Sequence, residues 1–166
     1  VPNPASFYVC TPSKTDETVA PAGFSNVFIL VPVPADEKMG RGGEAGLGDE
    51  LIERVADQAI SHIVEWAGIP DLKERIVLRK TVGPTDFHQD LGAWSGNSLG
   101  PAHTLSQSAL FRASNRSRKI DGLYYVGSGT IPGIGLPMCL ISAEVLLKTL
   151  RGDTSNGPLK VTNPKK

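Results

Sequence analysis

The residues that best suit a chemical function form a glycine-rich loop, Gly-Ser-Gly-Thr-Ile-Pro-Gly-Ile-Gly, at positions 127–135. A short apolar run precedes this loop, and apolar residues at helical spacing follow it. A helix that begins just after such a loop presents unpaired main-chain N–H groups and the positive end of its dipole. Because glycine lets an anionic ligand approach the main chain closely, the pattern predicts a site for an anionic group. The candidate binding residues are Gly127, Ser128, Gly129, Gly135, Leu136, Pro137 and Met138.

The loop does not match the dinucleotide-binding fingerprint G-x-G-x-x-G. Gly127 and Gly129 supply its first half, but Pro132 occupies the position of the third glycine. That fingerprint also belongs to the first strand of a βαβ unit, with an acidic residue about 20 residues further along the chain. Only one helix and a polar tail follow here, so the loop does not open a nucleotide-binding fold. A tight turn without any ligand is the alternative interpretation.

Side chains with catalytic potential are few. His88 lies between two carboxylates in Asp86-Phe-His-Gln-Asp90, but the spacing fits no standard metal motif and a capped surface turn explains it as well. No serine has a G-x-S-x-G setting. We therefore predict no metal site and name no catalytic side chain. If the protein is an enzyme, a bound cofactor performs the chemistry while the protein supplies position and electrostatics.

The sequence predicts an α/β fold for the elements that would hold the loop. Two segments rich in β-branched and aromatic residues, 6–11 and 26–33, predict two strands of one sheet. The glycine-rich segment 38–48 predicts a flexible loop. The strongest pattern predicts a long helix over 49–67, with Asp49 as N-cap and Gly68 as terminator. His62 lies off the apolar stripe of this helix and is expected to face solvent.

The second half of the sequence predicts shorter elements around the glycine-rich loop. Segments 75–82, 106–112 and 123–126 have the composition of strands, and 85–91 predicts a single capped helical turn. A final helix is predicted over 137–150, with Pro137 at its first position and Gly152 beyond its end. The polar segment 153–166 predicts a disordered tail.

The amino-acid composition indicates which classes of partner and which cellular compartment to expect. The 166 residues include 17 basic and 17 acidic side chains, so no broad electrostatic attraction to nucleic acid is expected. Cys10 and Cys139 fit no metal or redox spacing and are predicted to be buried thiols in a reducing compartment. No apolar run reaches the roughly 18 residues needed to span a bilayer. We expect a cytoplasmic protein, with any membrane contact peripheral.

Two stretches resemble the C-terminal part of the bacterial and fungal phytoene desaturase family, which are FAD-dependent oxidoreductases of the amine-oxidase-like superfamily. They are 104–117, Thr-Leu-Ser-Gln-Ser-Ala-Leu-Phe-Arg followed by Asn-Arg-Ser, and 120–137, which contains the glycine-rich loop. Weaker similarity extends through 13–34 and 84–87. The resemblance implies the last third of a longer enzyme, without the N-terminal Rossmann half that binds the ADP part of FAD. The start of the chain, Val-Pro-Asn-Pro without a methionine, also indicates an excised piece.

The resemblance implies a domain division and a role for the loop. Residues 1–103 would be part of a substrate domain with a mixed or antiparallel sheet, and 104–152 would return to the FAD-binding domain as strand, glycine loop and helix. The main chain at 127–129 would lie near the pyrophosphate or ribityl chain of FAD. The N–H groups at 136–138 would face the flavin ring. Many family members carry a histidine where this sequence has Ile131, so no role for that histidine transfers.

The resulting hypothesis is a desaturase acting on an apolar carotenoid precursor such as phytoene, with FAD as hydride acceptor in the full-length protein. The segment alone is expected to be inactive and to bind FAD weakly or not at all. These residues are also compatible with a related polyene isomerase or saturase flavoprotein, which stays an alternative. So does a non-enzymatic phosphate- or nucleotide-binding module, and so does an interaction domain whose glycine-rich loop is only a turn.

Overall fold

The computed structural model describes residues 2, 4–102, 104–108 and 111–159. Within them the chain forms three α-helices, one two-stranded antiparallel sheet and several short 3-10 turns. The chain divides into two compact units, residues 1–98 and 99–166. The mixed α and β character predicted from the sequence is confirmed at this level. No helix among the described residues is long and apolar enough to cross a membrane.

The sheet of the first unit pairs β1, Tyr8–Cys10, with β2, Phe28–Leu30. The strands are antiparallel, with Tyr8 opposite Leu30 and Cys10 opposite Phe28. The predicted pair is confirmed, although each strand has only three residues. Prolines explain the shortness, since Pro12 begins a 3-10 turn after β1 and Pro32 lacks the N–H that a longer β2 ladder would need. Cys10 is half-buried, as is Cys139 in the second unit, so the prediction of buried thiols is only partly correct.

Helix α1, Glu50–Ala67, confirms the strongest sequence prediction. Its residues Ile52, Ala59 and Ile60 are buried and, with Met39, form the hydrophobic core of the first unit. Gly68 ends the helix in the left-handed conformation, at φ 64°. Asp49 occupies the N-cap position, but its carboxylate accepts a hydrogen bond from the Arg41 main-chain N–H at 2.7 Å and does not cap the helix.

The predicted exposure of His62 is wrong. Its ring is half-buried and stacks on Phe7 and Trp66, with ring centroids 6.3 Å and 5.4 Å away. Its Nδ1 atom is buried and has no hydrogen-bond partner among the described residues. The helical pattern placed His62 outside the apolar stripe, but β1 and the residues before it bring Phe7 to that side of α1. The histidine therefore belongs to an aromatic cluster.

The glycine-rich segment 38–48 is closely packed, contrary to the flexible loop that we predicted. A Cβ atom on Gly42 would lie 2.1 Å from the carbonyl oxygen of Thr81. A Cβ atom on Gly43 would lie 2.4 Å from the main-chain nitrogen of Gly48. Real side chains cannot make contacts this short, so the glycines are required for close approach of two backbones.

The strand predicted at 75–82 does not form. Only Lys80 makes an isolated antiparallel bridge, to Glu44, and the side chains of Val77 and Leu78 are exposed. Arg79 anchors the segment instead, through ion pairs with the buried carboxylate of Glu53 and with Asp57. Burial alone would lower the pKa of Arg79, but its two carboxylate partners outweigh burial and raise it.

Helix α2, Pro84–Leu91, is longer than the single turn predicted at 85–91. The Asp86 carboxylate fixes its start by accepting a hydrogen bond from the Gly83 main-chain N–H at 2.7 Å. The same carboxylate accepts one from Gly42 N–H at 2.7 Å and pairs with Arg41 Nε at 2.9 Å. Asp86 therefore ties α2 to the glycine-rich segment.

In the second unit, helix α3, Leu136–Arg151, matches the prediction over 137–150 closely. Pro137 occupies its second position and Gly152 ends it at φ 65°. Residues 153–159 contact this helix, since Lys148 Nζ donates to the carbonyl oxygens of Ser155, at 2.9 Å, and Gly157. The rest of the predicted tail, 160–166, lies outside the described residues, as does position 103.

The strand predicted at 123–126 does not form as a regular strand, and the described residues of 106–112 form none. Leu105–Gln107 is a 3-10 turn, and positions 109 and 110 lie outside the described residues. Tyr124 makes only an isolated antiparallel bridge, to Arg116. A strand needs a continuous ladder of hydrogen bonds, and the neighbouring segment offers only part of one.

Candidate functional site

Three buried polar side chains lie beneath the glycine-rich loop. Asn115 and Thr130 are each 5% exposed, and Ser142, in the middle of α3, is 0% exposed. The Asn115 amide donates to Ser142 Oγ at 2.9 Å and to the Tyr125 carbonyl oxygen at 3.0 Å. The hydroxyls of Thr130 and Ser142 are hydrogen-bonded to each other at 2.8 Å. We call Asn115, Thr130 and Ser142 the buried polar cluster.

This cluster fixes both polar main-chain groups of Gly127. The Gly127 N–H donates to Ser142 Oγ at 3.1 Å. The Gly127 carbonyl oxygen accepts from Thr130 Oγ1 at 3.0 Å and from Thr130 N–H at 3.2 Å. At φ 115°, Gly127 also has a backbone conformation that side-chain-bearing residues rarely adopt. The start of the loop is therefore held in one shape by the interior of the unit.

A buried arginine holds the next part of the loop. Arg112 is 6% exposed, and its Nε donates to the Thr130 carbonyl oxygen at 3.1 Å. Its terminal nitrogens donate to the carbonyl oxygens of Ser128 and, at 3.4 Å, of Gln107. No carboxylate among the described residues pairs with this guanidinium. Main-chain carbonyl groups, two of them in the loop, are thus its polar partners in the described part of the chain.

The main-chain N–H groups of Ser128 and Gly129 point away from these buried partners. In a trans peptide, the carbonyl of one residue and the N–H of the next point in opposite directions. The carbonyls of Gly127 and Ser128 both bond inward, so the N–H groups that follow them face outward. Neither N–H has an acceptor among the residues that the structure describes. The two consecutive N–H groups form a donor pair suited to an anion.

Gly129 has no structural need to be glycine within the described part of the chain. A Cβ atom there would have no heavy atom within 4 Å, and its φ lies outside the left-handed range. Gly135 differs, because its φ of 114° favours glycine whatever surrounds it. The open space beside Gly129 is therefore room that a ligand could use.

The first turn of α3 also presents free donors. Gly135 is its N-cap and provides no side-chain hydrogen bond, Pro137 has no N–H, and no acidic residue lies in the first turn. The N–H groups of Leu136 and Met138 have no partner among the described residues, whereas Cys139 N–H bonds to the Gly135 carbonyl at 2.9 Å. An uncapped helix start attracts negative charge.

The seven predicted binding residues therefore fall into two groups, 127–129 above the buried polar cluster and 135–138 at the start of α3. Sequence reasoning missed the residues that shape the loop, Arg112 and the buried polar cluster. One signal was available, because Ser142 interrupts an otherwise apolar helical face. Ile131 is half-buried, and its N–H donates to the Ala113 carbonyl at 3.0 Å.

His88 has structural partners. Its Nδ1 lies 3.1 Å from the Ala93 carbonyl oxygen and 3.3 Å from Glu37 Oε1, on the surface of the first unit. Across the described ranges, no three His, Cys, Asp or Glu side chains converge as metal ligands would. The donor groups of the glycine-rich loop are the stronger candidate for a functional site.

A loop with outward N–H groups that leads into an uncapped helix is typical of proteins that bind an anionic cofactor group. Comparison with known proteins identifies the family. The chain is 44% identical over 154 residues to the carotenoid 3,4-desaturase of Haloarcula japonica. The aligned residues cover 92% of the chain and 29% of the relative. No family model matches the chain.

Two further relatives are also desaturases by name. The lycopene-forming phytoene desaturase of Pseudescherichia vulneris is 35% identical over 144 residues, which cover 84% of the chain and 27% of the relative. A 4,4'-diapophytoene desaturase of Staphylococcus haemolyticus is 30% identical over 158 residues, 95% of the chain and 31% of the relative. The chain belongs to the family of phytoene and carotenoid desaturases. It spans between 27% and 31% of the length of these relatives.

Proposed function

We propose that this chain is the C-terminal part of an FAD-dependent desaturase that acts on an apolar carotenoid precursor. The main support is the pair of outward N–H groups on Ser128 and Gly129, beside open space, in a member of this family. The donor set fits FAD, whose pyrophosphate is anionic and whose ring becomes negatively charged on reduction. When bound, FAD supplies the hydride acceptor.

The residues of this chain would bind and orient the cofactor. Ser128 and Gly129 would donate main-chain hydrogen bonds to the pyrophosphate or ribityl part. Leu136 and Met138, at the start of α3, would present N–H groups and the positive helix end to the flavin ring. The first turn of α3 has no acidic side chain that would oppose an anion there. Positioning and electrostatics are the roles that this arrangement can perform.

The substrate would contact the first part of the chain. In this proposal residues 1–103 belong to the substrate domain, 104–152 to the FAD-binding domain and 153–166 to a terminal tail. Several large apolar side chains of the first unit are exposed, including Tyr8, Phe24, Val27 and Phe28 around the sheet. Such a surface suits an apolar isoprenoid or the remainder of the substrate domain. In this proposal the whole enzyme is cytoplasmic, and its contact with the membrane is peripheral.

Replacement of Gly129 by alanine in the full-length protein tests the site. The wild-type protein should show flavin absorbance. Gly129→Ala should raise the Kd for FAD roughly tenfold, because the methyl group fills the ligand's space and disturbs one charge-assisted hydrogen bond. Unfolding of the apoprotein should not change, since the methyl group would meet no protein atom of the described chain.

Gly157→Ala is the matched control, because a Cβ atom on Gly157 would also have no heavy atom within 4 Å and its φ is not left-handed. It should retain wild-type FAD affinity. A correctly folded full-length protein that neither contains flavin nor is stabilised by FAD would contradict the proposed function. An unchanged FAD affinity in Gly129→Ala would show that the loop is not part of the FAD-binding site.

A further inference from the structure

Arg112 carries a buried positive charge that nothing in the described chain balances. Its partners are the carbonyl oxygens of Thr130, Ser128 and Gln107, and no carboxylate lies within ion-pair distance among the described residues. A buried charge without a counter-ion is unfavourable. The charge lies directly beneath the main chain that carries the outward Ser128 and Gly129 N–H groups, so an anion bound there would offset it.

The geometry of the guanidinium also explains why an arginine is present. Its nitrogens form a planar fork, and two of them reach carbonyl groups only two residues apart on one loop, those of Ser128 and Thr130. The bond to the Ser128 carbonyl fixes the peptide unit that joins Ser128 to Gly129. A cation on the carbonyl side of a peptide also polarises its N–H, which strengthens that donor.

We propose that Arg112 is a positioning residue for the phosphate groups of the cofactor. It fixes the Ser128–Gly129 peptide with its N–H outward, and its unbalanced charge makes this part of the loop selective for an anion. This inference rests on the proposed function, because it takes the anion to be the pyrophosphate of FAD. Arg112 need not touch the cofactor for this role, since it acts through the peptide.

The test compares a ligand that has the pyrophosphate with one that lacks it. Apoprotein of the full-length wild type, Arg112→Met and Arg112→Lys is titrated with FAD and with riboflavin, following flavin fluorescence. Arg112→Met should weaken FAD binding roughly tenfold or more, as expected for the loss of a charge that acts on an anion, and riboflavin binding less than twofold. Arg112→Lys keeps the charge but not the fork, so its FAD affinity should lie between those of the wild type and Arg112→Met.

Arg118→Met is the control, since Arg118 is an exposed arginine of the same unit with no ion-pair or hydrogen-bond partner among the described residues. It should leave both affinities unchanged. If Arg112→Met does not fold, the FAD-to-riboflavin affinity ratio of Arg112→Lys decides. Equal losses for FAD and riboflavin, or no loss for either, would overturn the role of Arg112 while the proposed function stands. A wild type that binds neither flavin overturns both.

Discussion

At the scale of single residues, Ser142 is a polar side chain that is completely buried. Its hydroxyl can donate one hydrogen bond and accept two. Asn115 Nδ2 and the Gly127 N–H donate to it, and the Thr130 hydroxyl shares the third position. The full capacity of a completely buried hydroxyl is therefore used. Such a residue specifies one arrangement of its neighbours, because no other rotamer would satisfy all three.

Ser142→Ala should therefore destabilise the full-length protein by about 1–3 kcal/mol, because buried donors of Asn115 and Gly127 lose their acceptor. Equilibrium unfolding in denaturant measures this change. Thr149→Ala is the control on the same helix, since its hydroxyl is exposed and, among the described residues, bonds only to the Val145 carbonyl. Equal small effects for both variants would show that the buried polar cluster contributes little to stability.

At the scale of elements, Asp86 shows how one carboxylate joins a helix to a loop. Burial alone would raise the pKa of Asp86, but the N–H groups of Gly83 and Gly42 and the Arg41 guanidinium outweigh burial and lower it. A carboxylate whose pKa is lowered on folding adds stability above its pKa in the unfolded chain. That stability is lost as the pH falls through the lowered pKa of the folded state.

Asp86→Asn should reduce the stability of the full-length protein at neutral pH and should make its decline below about pH 4 less steep. Unfolding midpoints measured from pH 7 down to the acid limit give both results. Asp90→Asn provides the comparison, since the Asp90 carboxylate is exposed and lies 3.8 Å from Arg41. Identical pH profiles for wild type and Asp86→Asn would contradict the assigned role.

Helices were more predictable from the sequence than strands, for a physical reason. The spacing of apolar residues and the terminating Gly68 define α1 locally, as Pro137 and Gly152 define α3. The strand predicted at 75–82 depends on a partner elsewhere in the chain, and its composition carries no information about that partner. The candidate site divides in the same way. Its glycines are visible in the sequence, whereas the contact between Arg112 and the loop exists only after folding.

At the scale of the whole molecule, α3 has an apolar surface that the described chain leaves uncovered. Ser142 is its only buried residue within the described part of the chain. Leu140 is 74% exposed, and Leu136 and Leu150 are exposed as well. Helices that are apolar on most sides are normally surrounded by other elements. If the chain is part of a longer enzyme, as proposed above, the rest of that enzyme would cover this surface.

Leu140→Gln should have different effects in the isolated chain and in the full-length protein. In the isolated 166-residue chain it should reduce self-association, measured by sedimentation velocity, because it removes an exposed apolar group. In the full-length protein it should cost about 1–3 kcal/mol of unfolding free energy, because the leucine would be covered there. Thr149→Gln, an exposed polar site on α3, should change neither measurement. Unchanged stability of the full-length Leu140→Gln variant would show that this face stays in water.

The double anchoring of Gly127 has a consequence for the speed and cost of ligand capture. Because interior side chains hold both its N–H and its carbonyl, this part of the loop is preorganised and loses little conformational entropy when a ligand arrives. The ligand would then bind a preformed site, and the association rate would be limited by diffusion and by the accessibility of that site.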